Sequence, residues 1–178
     1  VCRQILESKG VKIAAHISSI GNVSDSSFCP TKIDDALIEK LNNSSFALID
    51  ETVEKPMRDA VEDARMAQDS IGGTIECCVT GIDAGYGEPM FEGVEGVIAK
   101  AVFGVPAIKG IEFGKGFELS TMRGSQSNDP FEYKDGKVVT TTNNCGGILG
   151  GITNGMPIIF RAAVKPTPSI SQPQRTVN

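Results

Sequence analysis

The 178-residue sequence is poor in several features that commonly reveal a function. It has no tryptophan, a single histidine (His16) and no two cysteines in CxxC spacing. It contains no apolar run that resembles a membrane span, so we expect no membrane insertion. The net charge is −5 at pH 7, which gives no overall attraction to nucleic acid or to anionic lipid. An anionic ligand would therefore need a local group of cations.

The five cysteines indicate neither disulfides nor a metal site. Their number is odd, and Cys77 and Cys78 are adjacent, which places their side chains on opposite faces of a strand. We interpret all five as free thiols in a reducing compartment. This interpretation predicts a cytoplasmic protein without a bound metal ion.

The residues that are present favour one globular domain covering residues 1–178. The composition is 40% hydrophobic and 22% charged, and the length is ordinary for a single domain. Strand-like apolar runs begin near Val11, Gly73 and Pro157, and Asp135-Gly136 indicates the turn of a short hairpin. Because polar hairpins interrupt the alternation of strands and helices, the sequence predicts an α+β fold and not a doubly wound parallel sheet.

Two amphipathic helices are predicted, over residues 54–71 and 89–105. Pro56 suits the first turn of the first helix, and Gly72-Gly73 are expected to end it. Apolar residues follow three-four spacing in both segments, which indicates one buried face in each. The predicted inward residues are Met57, Ala60, Val61, Ala64, Ala67 and Ile71 in the first helix, and Phe91, Val94, Val97, Ile98, Ala101 and Val102 in the second.

The segment GGILGGITNG, residues 146–155, has five glycines among apolar residues. Glycine lets another group approach the main chain closely, at a cost of roughly 1 kcal/mol per ordered residue. The approaching group is either another element of the protein or a ligand held against exposed N–H groups. The segment matches neither the GxGxxG pattern nor a P-loop, so the sequence alone leaves both interpretations open.

A second candidate segment, KPTPSI, begins at Lys165. Pro166 and Pro168 fix their φ angles and make the loop stiff, while Thr167 and Ser169 offer hydroxyl groups between them. With the cation of Lys165, such a loop suits a phosphate or the edge of a flavin ring. A rigid surface turn is the alternative interpretation.

Three long stretches carry a resemblance to a known family: GYGEPMFEGVEGVIAKAVFGVPAIKGIEFGKGF, RGSQSNDPF and NNCGGILGGITNGMPIIFRAAVKPTPSI. In this order and spacing they closely resemble chorismate synthases, and the likeness extends over essentially the whole chain. The resemblance implies a β-α-β sandwich, with helices layered between antiparallel sheets, and a homotetramer.

The resemblance also implies an activity. Chorismate synthases are carbon–oxygen lyases that eliminate phosphate from 5-enolpyruvylshikimate 3-phosphate to give chorismate, in the shikimate pathway of aromatic amino acid biosynthesis. The 1,4-anti-elimination involves no net redox change but requires reduced FMN, which is thought to lend electron density transiently. NADPH is one source of the reducing equivalents; an external reductant is the other.

Carried over onto this sequence, the flavin contacts of the family fall at three places. They are Pro106 and Ala107, then Gly150, and then the loop of Lys165, Pro166, Thr167, Pro168 and Ser169. On this interpretation the glycines of residues 146–155 let a flavin lie close to the main chain. Lys165, with Lys109 or Arg123, would supply positive charge for the flavin phosphate and the anionic substrate.

The sequence does not contain the arginine clusters and histidine motifs of the family, so we expect it to be the central portion of such an enzyme. His16 matches neither histidine motif and is interpreted as a structural residue, which leaves the catalytic acid and base unknown. Ser125, Asn128 and Asp129 are either part of a loop near the active site or ordinary turn formers. Two alternatives remain: a non-catalytic oligomerisation core, or another flavin or phosphate binder.

Overall fold

The computed structural model describes residues 1–177 and contains five α-helices and nine β-strands among them. The helices are α1 (Cys2–Ser8), α2 (Asp35–Asn43), α3 (Glu54–Met66), α4 (Val94–Phe103) and α5 (Gly124–Ser127). The strands are β1 (Lys12–Ile20), β2 (Val23–Ser24), β3 (Gly73–Thr80), β4 (Ile108–Phe113), β5 (Phe131–Lys134), β6 (Lys137–Thr140), β7 (Ile148–Leu149), β8 (Ile152–Thr153) and β9 (Ile158–Val164). None of the helices in residues 1–177 is long and apolar enough to cross a membrane.

Five strands form one sheet in the order β2-β1-β3-β9-β4. Every neighbouring pair in this sheet is antiparallel. The strands β5 and β6 form a separate hairpin that turns at Asp135-Gly136, as the sequence predicts, and β7 and β8 form another. The α+β class predicted from the sequence is confirmed.

Each face of the large sheet carries a helix, because alternate residues of a strand point to opposite faces. On one face α2 packs against β1, β3 and β9; on the other, α4 packs against β3, β4 and β9. The buried core residues of the first face are Ala14, Phe28, Ile38, Leu41, Cys78 and Ile159, and those of the second are Ile148, Ile158 and Phe160.

The helix predicted over residues 54–71 ends five residues early, at Met66. Ala67 is its C-cap, and Gln68 then adopts a left-handed conformation with φ of 59°, which a continuing helix does not permit. Gly72-Gly73 therefore do not end the helix, and Gly73 begins β3. Met57 is fully buried, but Val61 is 44% exposed, so the predicted inward face is only partly covered.

The second predicted helix begins later than expected, at Val94. Phe91 lies in the short 3₁₀ turn Met90–Glu92 before it, so helical spacing does not apply to Phe91, which is 87% exposed. Val97 is also exposed, because the face that packs on the sheet consists of Val94, Ile98 and Val102 at spacings of four. The prediction that Phe91 and Val97 point inward is wrong.

A row of ionisable side chains crosses four strands of the sheet. The register pairs His16 with Glu76, Glu76 with Arg161 and Arg161 with Glu112. His16 is 1% exposed; its Nδ1 lies 2.9 Å from an oxygen of Asp25, and its Nε2 lies 3.0 Å from an oxygen of Glu76. A histidine held in the core in this way fits the structural role predicted for His16.

All five cysteines are free. Burial, with the nearby charge of Glu76, raises the pKa of Cys77 to about 11, and burial raises the pKa of Cys78 to about 12. Exposed Cys29 has a lowered pKa, because the backbone N–H groups of Thr31 and Lys32 stabilise its thiolate. These thiols therefore differ in their reactivity at neutral pH.

Alkylation at neutral pH is expected to modify Cys29 well before Cys77 and Cys78. The thiolate is the reacting form, and a raised pKa keeps the two buried thiols protonated and shielded. Iodoacetamide labelling followed by peptide mass spectrometry measures the order, and unfolding the protein in urea should equalise the labelling. Early modification of Cys78 in the folded protein would contradict the buried position of β3.

Candidate functional site

Two of the candidate flavin segments meet at one end of the sheet. The turn between α4 and β4 contains Pro106 and Ala107, and the Ala107 carbonyl accepts a hydrogen bond of 2.9 Å from the Lys165 backbone N–H. This contact exists because β4 and β9 are neighbours, with Ile108 opposite Val164. The residues just before β4 and just after β9 must therefore lie side by side.

Ala107 has an unusual backbone conformation. Its φ is +71°, which is uncommon for a residue other than glycine, asparagine or aspartate. The conformation directs its carbonyl to Lys165 and closes the turn from α4 into β4. Left-handed residues of this kind occur often at ligand sites, where the surrounding structure holds them.

The Lys165–Ser169 loop follows directly from β9. Pro166, Thr167, Pro168 and Ser169 are exposed, while Lys165 is half-buried beside Ala107. The loop is thus fixed at Lys165, and the hydroxyls and prolines that follow face the solvent. These properties suit a stiff surface that receives a ligand.

The connection from α3 to β3, residues 67–72, lies behind this loop. The Ser70 hydroxyl donates a hydrogen bond of 2.7 Å to the Thr167 carbonyl, and the Gln172 side chain donates one of 2.8 Å to the Ala67 carbonyl. Gly72 passes so close that a Cβ there would lie 2.7 Å from the Val164 carbonyl oxygen. The sequence interpretation missed this connection, because isolated hydroxyl and amide side chains carry no periodic signal.

A second cation lies at the same end of the sheet. Lys109 is the extra residue where the register of β4 shifts between Ile108 and Gly110, beside the end of β9. Neither Lys109 nor Lys165 forms an ion pair with any residue of 1–177. Arg123 lies beyond the other end of β4, at the start of α5, so it is not brought to Lys165.

Gly150 is also remote from the loop. The carbonyl of its neighbour Gly151 accepts a hydrogen bond of 2.9 Å from the Val94 N–H at the start of α4, whereas Pro106-Ala107 follow the end of that helix. A helix of ten residues is about 15 Å long. Gly150 and Ala107 thus lie near opposite ends of α4, roughly 15 Å apart in space.

The glycine-rich segment packs mainly against the protein itself. A Cβ on buried Gly146 would lie 2.8 Å from the Ile159 carbonyl oxygen, and one on Gly147 would lie 2.5 Å from the Pro157 carbonyl oxygen. A Cβ on Gly151 would meet Glu88 and Gly93. At Gly146, Gly147 and Gly151, the group that approaches the main chain closely is therefore another part of the protein. Only exposed Gly150, in this group of four, has nothing within 4 Å of such a Cβ.

Asp129 in the RGSQSND segment has a clear role in holding the structure together. Its buried carboxylate accepts hydrogen bonds from the Thr142 hydroxyl at 2.7 Å and from the backbone N–H groups of Asn144 at 2.6 Å and Cys145 at 2.9 Å. Asp129 thus fixes residues 142–145, which connect β6 to the glycine-rich turn. Ser125 and Asn128 are exposed.

An open groove of about 490 Å³ lies beside the loop. Its walls are mostly apolar and include Ile17, Ile75 and Val164 from the sheet and Val61 from α3. Ser70 and Gly72, which brace the loop, form part of its rim. The groove is within the size range of small-molecule sites.

Similarity to known proteins shows which family this chain belongs to. The family model described as chorismate synthase matches residues 1–178. This chain belongs to the chorismate synthase family. The chorismate synthase of Thermococcus kodakarensis is 47% identical over 176 residues, which are 99% of this chain and 47% of that protein. The chorismate synthase of Dehalococcoides mccartyi (strain 195) is 42% identical over 178 residues, which are 100% of this chain and 48% of that protein.

A solved structure supports the same relationship. The crystal structure of a chorismate synthase superimposes with a TM-score of 0.86 at 31% identity, covering 94% of this chain and 52% of that chain. The chorismate synthase-like fold predicted from the sequence is thereby confirmed. The chain spans about half the length of the relatives it matches.

Proposed function

We propose that this chain forms part of an FMN-dependent chorismate synthase and carries part of its flavin site. The activity is the 1,4-anti-elimination of phosphate from 5-enolpyruvylshikimate 3-phosphate to give chorismate, a carbon–oxygen lyase reaction. The observation that carries the proposal is the hydrogen bond between Ala107 and Lys165, which joins two family flavin segments in a chain of this family. The 178 residues are proposed to be a single domain from the central portion of the enzyme.

The residues at this end of the sheet fit a flavin with a phosphate group. Pro106 and residues 166–169 are exposed, Ala107 and Lys165 are half-buried beside them, and Thr167 and Ser169 offer hydroxyls. Bound reduced FMN would supply the electron density that assists the departure of phosphate. The role of the protein residues is to hold the flavin and to balance the charge of the phosphate groups.

Lys165 and Lys109 are the cations proposed to face these phosphates. Both lie at the same end of the sheet, and neither is neutralised by a carboxylate of residues 1–177. These two lysines would supply the local positive charge that an anionic ligand needs in a chain whose net charge is −5. Arg123 is not included, because it lies at the opposite end of β4.

No residue of this chain is proposed as the catalytic acid or base. Both ring nitrogens of His16 are bonded to carboxylates, and the side chain is fully buried. It therefore has no free nitrogen with which to exchange a proton with a substrate. The catalytic acid and base therefore stay unassigned.

An oligomerisation core is the second candidate, and exposed apolar side chains favour it. Phe91, Phe117 and Tyr133 are 87%, 82% and 77% exposed, and aromatic side chains are enriched in protein–protein interfaces. The proposed assembly is a homotetramer in the cytoplasm, with NADPH or an external reductant keeping the flavin reduced. Turnover of 5-enolpyruvylshikimate 3-phosphate by this chain would separate the two candidates.

Lys165→Ala is expected to weaken FMN binding by about 1–3 kcal/mol, because one charge-assisted hydrogen bond is lost. The measurement is an FMN titration with 5-enolpyruvylshikimate 3-phosphate present, followed by visible absorbance. Lys137→Ala is the matched control, since Lys137 is an exposed lysine on the β6 hairpin. An unchanged dissociation constant for Lys165→Ala would remove Lys165 from the site, and no binding by the unmodified chain would leave the oligomerisation core.

A further inference from the structure

The contacts of the Lys165–Ser169 loop point to residues beyond the loop itself. Its start is fixed by the Ala107 carbonyl, but that bond holds only Lys165. Thr167 and Pro168 lie further out and are exposed, so the core does not fix them by packing. Their position must depend on the hydrogen bonds made to them.

We propose that Ser70 and Gly72 are positioning residues that hold the Thr167 main chain in its flavin-binding arrangement. This inference rests on the proposed function and adds two residues to it. The two act through the loop and need not touch the flavin. We call residues 67–72 the loop clamp.

The hydroxyl of Ser70 makes the central contact of the clamp. It donates to the Thr167 carbonyl at 2.7 Å, a short bond across 97 residues of sequence. Thr167 lies between two prolines, which have no N–H to donate, so its neighbours cannot replace this bond with their own backbone donors. The hydroxyl of Ser70 thus fixes the middle of a segment that otherwise has few ways of being fixed.

Gly72 acts by allowing close approach. A Cβ at this position would lie 2.7 Å from the Val164 carbonyl oxygen and 3.0 Å from Cδ of Pro166. Both atoms belong to main chain or ring and cannot rotate away. A side chain at residue 72 would therefore push the start of the loop outward.

Further contacts from beyond the loop bind it to the same clamp. The Ser171 N–H donates to the Gln68 carbonyl at 3.2 Å, and the Gln172 side chain donates to the Ala67 carbonyl at 2.8 Å. Gln68 offers its carbonyl from the left-handed conformation that ends α3. The end of α3 and the loop are thus joined at several points, which makes the loop a rigid surface before any ligand arrives.

The test compares FMN binding by five variants of the full chain in the presence of 5-enolpyruvylshikimate 3-phosphate. Ser70→Ala is expected to raise the FMN dissociation constant about three- to tenfold, the usual weight of one net hydrogen bond. Ser70→Thr keeps the hydroxyl and should restore binding to near the unmodified value. Ser120→Ala is the matched control, since the Ser120 hydroxyl makes a similar bond of 2.8 Å to the Phe117 carbonyl, beyond the other end of β4. The fourth variant, Gly72→Ala, moves the loop without removing a hydrogen bond.

Gly72→Ala should weaken FMN binding at least as much as Ser70→Ala does. Its control is Gly124→Ala, because a Cβ on Gly124 has nothing within 4 Å. Thermal unfolding without FMN is measured for every variant, and Ser70→Ala should change the midpoint little, since the clamp lies at the surface. Equal FMN binding by Ser70→Ala and the unmodified chain would overturn the inference alone. Absence of FMN binding by the unmodified chain would overturn the proposed function and, with it, this inference.

Discussion

Glu76→Ala is expected to lower the free energy of unfolding by about 2–5 kcal/mol, because it leaves two buried polar groups without their partner. Glu76 is 3% exposed, and one of its oxygens accepts a hydrogen bond of 2.8 Å from the Phe28 N–H and lies 3.0 Å from His16 Nε2. Alanine would leave both of these buried nitrogens without their partner. Since the sequence has no tryptophan, circular dichroism during urea unfolding is the suitable measurement.

Glu112→Ala is the matched control for this prediction. Glu112 lies on the same row of the sheet and contacts the Arg161 guanidinium and the Phe117 N–H. Its side chain is 27% exposed and that of Arg161 is 28% exposed, so the guanidinium keeps access to water although its Nε is buried. A loss of about 1 kcal/mol is expected. Equal losses in the two variants would contradict the importance of burial in this row.

The sequence predicts the strands and the fold class well, because apolar runs and turn residues are local signals. The end of α3 could not be predicted in this way, since it depends on Gln68 taking a left-handed conformation that its residue type does not indicate. The row of ionisable side chains from His16 to Glu112 could not be predicted from the sequence either. It forms only when β1, β3, β9 and β4 pair in one particular register.

The candidate site shows the same division between local and long-range information. Resemblance to the family selected Ala107 and Lys165, and their contact follows from the pairing of β4 with β9, which no local pattern contains. Gly150, selected in the same way, and Arg123, selected for its charge, lie elsewhere in the chain. Ser70 was missed, since its importance comes from a bond to a residue 97 positions away.

Gly146→Ala is the second variant with a large expected effect, a loss of about 2–5 kcal/mol in the free energy of unfolding. Gly146 has φ of +69°, which costs an alanine roughly 1–2 kcal/mol. A Cβ there would also lie 2.8 Å from the Ile159 carbonyl oxygen and from the Gly114 Cα. Overpacking of this kind typically adds 1–3 kcal/mol. Urea unfolding measures the sum.

Gly150→Ala separates the two contributions, because Gly150 has a similar φ of +60° but open space around a Cβ. Only the backbone term of roughly 1–2 kcal/mol should remain. Equal losses at Gly146 and Gly150 would show that close packing does not explain the glycines of residues 146–155. The same Gly150 variant also tests the flavin proposal, since an added methyl group at an open position can obstruct only a molecule from outside the chain. Weaker FMN binding with no loss of stability beyond this backbone term would place Gly150 beside the flavin, whereas unchanged binding would restrict the site in this chain to the end of the sheet formed by Ala107 and Lys165.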